Sequence, residues 1–450
     1  MQRKLIPATL LAFAAFTLPI HAAQSAGTGP ALTGEWLATA DLYGTPIYFR
    51  FNVDQQGDKL TGKFRGDPFE GATEGKDSFH LLAKDKDGDT NQVKGVLQEG
   101  TIHGDILATN ASDPGRPSNF TFTATRVPPR PTAPPQRHEF TPTVFYRQFS
   151  PFNKPVLTVN PGDTIHTTTV DAGGSDKDGV HRVLGGNPET GPFYIQSAMP
   201  GDTLVVHITR LKLNRDWAQS DDYLDEGAKD SGLAVKMKDT GKTIIWHLDL
   251  ANNIASPAKP SEHLTQYTVP LRPMLGCVAT ATGPAGAPPP TGDSGGYGGN
   301  MDFNEITEGA TVYLPVSNPG ALLYLGDGHA AQGDGELNGN ALETSMDVEF
   351  TVDIIPGKRP PAPRVENATT IMAMGLGSLD DAFRQATSNM ASWLADDYKL
   401  TPSEIAQVLG TSAQYKVSEI ADRNSGIVLK IEKARLQTLT ASAPSSAPAR

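Results

Sequence analysis

Asn160-Pro161-Gly162-Asp163-Thr164 recurs as Met199-Pro200-Gly201-Asp202-Thr203, and more loosely as Thr307-Glu308-Gly309-Ala310-Thr311. An alternating or apolar run follows each copy: Ile165 to Val170, Leu204 to Ile208 and Val312 to Val316. Proline sets the entry to the turn, glycine takes a positive φ, and an extended segment leaves. Repeated turn-and-strand units of this kind argue for an antiparallel sandwich, jelly-roll-like in layout.

Upstream of the first copy, Val127-Pro128-Pro129-Arg130-Pro131-Thr132-Ala133-Pro134-Pro135 reads as a semi-rigid, extended linker. Before it, Glu35 to Ala40, Ile47 to Val53 and Phe120 to Thr125 alternate with period two between turn signals such as Lys86-Asp87-Gly88-Asp89. Gly34-Glu35-Trp36 and Phe122-Thr123-Ala124-Thr125-Arg126 resemble the small β-barrel modules of secreted bacterial proteins. His103 and Asp105 in this region read as exposed polar residues. Downstream, Ser378-Leu379-Asp380-Asp381 caps a helix whose apolar face is Leu379, Ala382, Phe383, Ala386, Met390, Trp393 and Leu394. Thr401-Pro402-Ser403-Glu404 opens a second helix, with Gly410 as its stop. The chain is therefore expected to be mainly β. Residues 1–26 read as a signal peptide, 30–127 as a small β-barrel or sandwich, and 128–137 as the linker. Residues 138–435 read as a larger sandwich with two C-terminal helices, and 436–450 as a disordered tail.

Composition agrees with a turn-rich β protein: 45 Gly and 36 Pro in 450 residues, 38% of them hydrophobic. The formal charge of −12 excludes non-specific nucleic-acid binding, which needs Lys and Arg to displace counterions, and gives no basic patch for an anionic membrane. Met1-Gln2-Arg3-Lys4, the apolar run Leu5 to Ile20 and the small residues Ala22 to Ala26 have the order of a cleaved secretion signal. An exported, periplasmic or secreted protein with no membrane contact after cleavage is expected. The single cysteine, Cys277, forbids an internal disulfide and favours a periplasm over a disulfide-rich extracellular module.

Chemistry concentrates in four stretches of the larger domain. Gly326-Asp327-Gly328-His329-Ala330-Ala331-Gln332-Gly333-Asp334-Gly335-Glu336 carries three carboxylates and a histidine among four glycines. So many glycines argue for a shaped loop after a buried strand over Ala321 to Leu325. Asp171 ends a strand and faces Gly173-Gly174. Gly186-Asn187-Pro188-Glu189-Thr190-Gly191-Pro192 reads as a rigid loop, and Gly295-Gly296-Tyr297-Gly298-Gly299-Asn300-Met301-Asp302 as a flexible glycine run delivering an Asn and an Asp. Singly, each acid is the ordinary equipment of a turn. Together, Gly-flanked carboxylates with one histidine suit a divalent metal, Zn²⁺ or Ca²⁺. Similar turns occur in copper-binding sandwiches, but the Cys, His and Met set is missing around Cys277. Cys277 lies in an apolar run, where a thiol is inert. His247 alternates with apolar neighbours and reads as a core histidine. No Gly-x-Ser-x-Gly elbow is present, and Ser294 lacks the Ser-Ser-Lys pattern of signature amidases.

These stretches carry a resemblance. Residues 187–203, Pro270-Leu271-Arg272-Pro273-Met274-Leu275-Gly276-Cys277, Gly298-Gly299-Asn300-Met301-Asp302, the 326–336 segment and Ala341-Leu342-Glu343-Thr344-Ser345-Met346 resemble the acetamidase/formamidase family, in the same order. The resemblance spans about residues 140–430. It implies a mainly β scaffold that hydrolyses short linear amides to carboxylate and ammonia, and a homo-oligomer. The N-terminal β domain and the signal depart from the usual members and leave the substrate open.

The resemblance supports the placement of the site residues; their division of roles follows from their chemistry. Asp171, Asp302 and His329 are candidate metal or water contacts, with Asp327 as a further ligand or a residue behind the ligands. Glu336 is the candidate general base and then acid, and Glu343 a second carboxylate. Asn300 is a candidate for orienting substrate or donating to the oxyanion. Asp334 reads as a turn residue. The competing reading is a non-catalytic exported sandwich that binds calcium or carbohydrate.

Overall fold

A computed structural model describes residues 32–437 and 439, apart from 43, 76, 238, 239 and 285. The expected signal peptide, and all but three residues of the expected tail, lie outside the described residues. Eight antiparallel strands, from Gly34–Leu42 to Ser118–Arg126, close into a barrel in which Ala38 of the first strand pairs with Ala124 of the last. Trp36, Phe51, Phe64, Phe79, Ile102 and Phe122 fill its interior, as an eight-stranded barrel requires. Of the two expected forms for this region, the barrel is the one observed.

The rest is built on two large β-sheets. The three recurring turns each feed the same nine-stranded sheet, through Thr164–Thr168, Thr203–Leu213 and Thr311–Pro315. Gly162, Gly201 and Gly309 take φ of 98°, 93° and 85°. In the two closer copies the aspartate ties the turn down: Asp163 accepts from the Asn160 and Gln136 amides, Asp202 from those of Met199 and Gly357. Arg50 of the barrel reaches the second of these, with Nη2 2.9 Å from Asp202 Oδ1.

The inner face of this sheet presents Leu204, Val206, Val312, Val348 and Phe350. They pack against Phe193, Leu275, Val278, Leu323 and Leu325 of a twelve-stranded sheet. Alternation continues in Thr370–Gly377: Met372 and Met374 face this core, while Ile371 and Ala373 face the helix Leu379–Tyr398 on the outside. Ser378 caps that helix by accepting from the Asp381 amide. Of its expected apolar face, Ala382, Ala386, Met390, Trp393 and Leu394 are buried, whereas Leu379 and Phe383 are exposed, Phe383 stacking on Tyr415. The second helix, Pro402–Ser412, starts on proline as expected, is closed by a capping box of Thr401 and Glu404, and runs two residues past Gly410, its expected stop. Among the described residues no helix is long and apolar enough to cross a membrane.

Three expectations for the glycine-rich stretches are corrected. Gly326, Asp327, Gly328 and His329 are not a loop; they complete the buried strand Leu323–His329. The glycines are there because neighbours crowd the strand: a Cβ on Gly326 would fall closer than 3.0 Å to Glu189 Oε2, and one on Gly328 to the Met346 side chain. Gly298-Gly299-Asn300 is likewise a buried strand, pairing with Cys277 to Ala279. Close backbone approach outweighs the weak strand propensity of glycine at both places. The 186–192 stretch is also mostly strand, since Glu189–Ile195 is continuous.

Candidate active site

The strand Leu323–His329 organises the site. On one side it pairs with Met274–Thr280, and on the other with Glu343–Thr344 in a register that sets His329 directly opposite Glu343. His329 Nε2 accordingly lies 3.0 Å from Glu343 Oε1. Met274–Thr280 passes the influence outward. The Gly276 carbonyl accepts from the amides of both Met301 and Asp302, which swings the Asp302 carboxylate back across the strand. A Cβ on Gly276 would fall closer than 3.0 Å to Asp302 Oδ1 and to Asp327 Oδ2, so the two acids occupy the space a side chain would need.

His329 Nε2 stands 3.5 Å from Asp327 Oδ1, 3.9 Å from Asp302 Oδ1 and 4.0 Å from Glu336 Oε1. Its other ring nitrogen settles the tautomer. Gln332 donates through Nε2 to the backbone carbonyls of Asp302 (2.6 Å) and Ser418 (3.1 Å), which turns its Oε1 toward His329 Nδ1 at 2.9 Å. Nδ1 therefore carries a proton, which leaves Nε2, among the carboxylates, as the ring nitrogen that could ligate a metal.

Two overlapping groups result: Asp302, Asp327 and His329, and His329, Glu336 and Glu343. All five residues are buried, and His329 Nε2, Asp302 Oδ1, Asp327 Oδ1 and Glu343 Oε2 have no hydrogen-bond partner among the described residues. Buried donors and acceptors left unpaired are costly. Each of the two groups brings its ligand atoms within 4.8 Å of one another, and carboxylates with one imidazole are a donor set for a divalent cation. Four site residues also hold left-handed backbone, with φ of 52° at Asp327, 46° at Glu336, 40° at Asp302 and 51° at Asn187. Strain of this kind persists where the surroundings enforce it.

The electrostatics are those of a buried acid cluster. Burial and the neighbouring acids Glu336 and Asp327 push the Asp302 carboxyl well above the usual range. Burial is the main cause of the rise at Glu336, to about 8, and at Glu343, to about 7. Burial alone would pull the His329 imidazole down, but Glu343 and Asp327 outweigh it and raise it.

Asn300 Nδ2 donates to Asp302 Oδ2 and Asp422 Oδ2, each at 2.7 Å, and its Oδ1 accepts from Asn187 Nδ2 at 3.0 Å. Both of its N–H groups are thus committed, so Asn300 orients acids and has no donor left for an oxyanion. Asp171 stays outside the cluster. Its Oδ2 meets Arg215 Nη2 at 2.7 Å, its Oδ1 accepts from the Ser175 amide, and it joins neither group of ligand atoms. Arg215 also donates to Thr344 Oγ1 and to the Glu343 carbonyl, so this ion pair supports the strand that carries Glu343. Asp334 is a surface residue paired with Lys416. His247 is exposed, not a core histidine. Cys277 is fully buried, and burial, with Glu189 beside it, pushes its thiol well up.

Sequence reasoning singled out the 186–192 stretch but gave Asn187 and Glu189 no role in the site, and it missed Glu419 and Asp422. Asp422 and Glu419 come from the turn between Gln414–Val417 and Ser425–Glu432, on the opposite sheet. The Gly335–Glu419 bridge and the Asn424 contacts to Asp293 and Ser294 hold that turn over the site. A cavity of about 310 Å³ opens on the cluster, lined by Asn187, Asn300, Asp327, Glu336, Glu343 and Asp422 among others.

Residues 288–372, which include Asn300, Asp302, Asp327, His329, Glu336 and Glu343, match the model of the acetamidase/formamidase family. An acetamidase of Mycolicibacterium smegmatis is 43% identical over 61 residues, 13% of this chain and 15% of that protein. The sequence match thus spans less than a fifth of that relative, but the structural match is far longer. An acetamidase from Bacillus halodurans superposes with a TM-score of 0.58 at 29% identity, over 67% of this chain and 99% of its own. An acetamidase from Yersinia enterocolitica gives 0.58 at 27%, over 68% of this chain and 94% of its own. In residues 288–372 and in the fold of its larger part, the chain is similar to the acetamidase/formamidase family. The family match falls on the segment in which the acids and His329 converge. Asp171, Arg215 and the 418–424 turn lie outside it.

Proposed function

We propose that the protein hydrolyses the C–N bond of linear carboxamides, giving a carboxylate and ammonia. The observation that carries this reading is the group of unpaired, buried donor atoms around His329 Nε2, in a cavity that admits a small molecule. Asp302, Asp327 and His329 would hold a divalent ion, with Glu343 beside them. Bound there, the ion polarises the amide carbonyl and acidifies a water molecule. The nitrogen donor favours a zinc-class ion over calcium, which prefers all-oxygen sites.

The chain's own contribution is positioning and proton transfer. Glu336 Oε1 accepts from the Ala341 amide at 3.1 Å, which fixes the carboxyl; Glu336 lines the cavity, and its Oε2 has no hydrogen-bond partner among the described residues. Glu336 Oε2 takes a proton from the attacking water as the new C–O bond forms. It returns that proton to the amide nitrogen as the C–N bond breaks. Asn300 and Asn187 hold Asp302, Asp327 and Asp422 in register. Export to the periplasm or beyond, resting on Met1 to Ala26, and assembly as a homo-oligomer belong to the same reading.

Purified protein is to be assayed for ammonia release from formamide and acetamide, beside a Glu336→Gln variant, with bound elements measured on the same samples. Turnover that Glu336→Gln lowers about 100-fold or more, with the metal retained, is expected. Equal turnover by both proteins would remove Glu336 from the reaction, and no ammonia from either would end the amidase reading.

A further inference from the structure

Beside the catalytic cavity lies a second one of about 290 Å³. The two share Gly186, Asn187, Asn340 and Glu343 as a common wall. Acetamide, with four heavy atoms, displaces only about two or three waters of ~30 Å³ each. The adjoining space is therefore far more than the smallest amides use. Its own lining is polar: Gln219, Ser220, Asp221 and Thr243, backed by Ala172 and Gly173.

Two features of that lining bear on a ligand. The Gln219 carboxamide has no hydrogen-bond partner among the described residues, although Ser220 and Asp221 beside it are both engaged, with Trp246 and Asn340. Gly173 keeps the space in front of it open: a Cβ there would come to 3.4 Å from Gln219 Nε2. The charge is also one-sided. Asp221 and Glu343 line this cavity, Asp327, Glu336, Glu343 and Asp422 line the other, and neither wall includes a Lys or Arg. Arg215, nearby, is spent on Asp171. A divalent ion at His329 offsets acids of the catalytic cavity and leaves Asp221 uncompensated.

We propose that the second cavity is an acyl-chain subsite, and that the preferred substrates are carboxamides bearing a second hydrogen-bonding group that is neutral or cationic, met by Gln219 and Asp221. Anionic chains are excluded by the acidic wall, and apolar chains leave the Gln219 amide unpaired. This rests on the amidase reading above and extends it to substrate class.

The test compares kcat/KM of the full-length protein for amides of similar size: malonamide, β-alaninamide, butyramide and malonamate, with acetamide as reference. Malonamide and β-alaninamide are expected to exceed butyramide by about five- to tenfold, the value of one net hydrogen bond, and malonamate to be the poorest. Gln219→Leu should bring malonamide down to the level of butyramide. Asp221→Asn should lower β-alaninamide and raise malonamate. A merely structural role for either residue would lower all five amides together, acetamide included, and would overturn the proposal. So would acetamide turnover accompanied by no preference for malonamide or β-alaninamide over butyramide; the amidase reading would then stand alone. Absence of turnover with every amide, acetamide included, defeats the amidase reading and this proposal with it.

Discussion

Gly276 is the residue on which the candidate metal centre turns. Its carbonyl holds the Met301 and Asp302 amides, and its missing side chain leaves room for the Asp302 and Asp327 carboxylates. Gly276→Ala forces those oxygens aside, because a Cβ cannot sit that close to them. The backbone is not otherwise asked to change, so the sandwich should still form. Misplacing catalytic groups by about 1 Å can cost about 100-fold in rate. The variant is expected to lose bound metal and about 100-fold or more in kcat/KM, with an unchanged far-UV circular dichroism spectrum. Wild-type metal content in folded Gly276→Ala would rule out Asp302 and Asp327 as joint ligands. At this scale sequence reasoning saw Asp327, His329 and Glu336 because each stands beside glycine, Asp302 because it follows a glycine run, and Glu343 through the stretch that carries the family resemblance. Asp171 has the same local pattern but a different fate, since its partner Arg215 is 44 positions away and gives no local signal.

Between elements, the buried Asp171–Arg215 pair links the segment after Thr164–Thr168 to the short strand Glu343–Thr344. Both side chains are about 2% exposed or less. Breaking such a pair by removing one partner leaves an uncompensated buried charge and costs about 3–5 kcal/mol. Arg215→Met is expected to destabilise the protein by roughly that amount in urea unfolding, and to weaken metal retention through Glu343. Adding Asp171→Asn should recover much of the lost stability. A single variant within about 0.5 kcal/mol of wild type would show that the pair is not what holds this strand. The recurring Pro-Gly-Asp-Thr turns were legible because their mechanism is local: proline, a left-handed glycine and an aspartate closing on nearby amides. The 326–329 and 298–300 strands were not. Their glycines answer to Glu189, Met346 and Val278, which approach only once the sheet has assembled. The 418–424 turn was illegible for the same reason, since a polar turn acquires Asp422 as a site residue only when the two sheets face each other.

At the scale of the whole molecule, the two-part β architecture followed from alternation, turns and the proline-rich linker, all properties of short segments. The branching of the twelve-stranded sheet around Leu323–His329 did not, because pairing partners come from residues 189–195, 274–280 and 343–344. That convergence buries several acids together, and the consequence is testable through pH. Burial lifts Asp422 to about 6, Glu343 to about 7, Glu336 to about 8 and Glu419 to about 9. Unfolded, these groups titrate near 4. A carboxyl raised on folding favours the folded state while it stays protonated. Its contribution is complete below the unfolded value and is lost as pH rises through the folded one. Chelated protein should therefore lose stability between about pH 5 and pH 9 on account of these four groups. A bound cation requires the ionised carboxylates, so its stabilisation grows over the same range. The gap in melting temperature between zinc-loaded and chelated protein is expected to widen by several degrees from pH 5 to pH 9, as read by scanning fluorimetry at fixed free zinc. A gap that stays constant or narrows with rising pH would mean that the acids around His329 are not the groups that bind the ion.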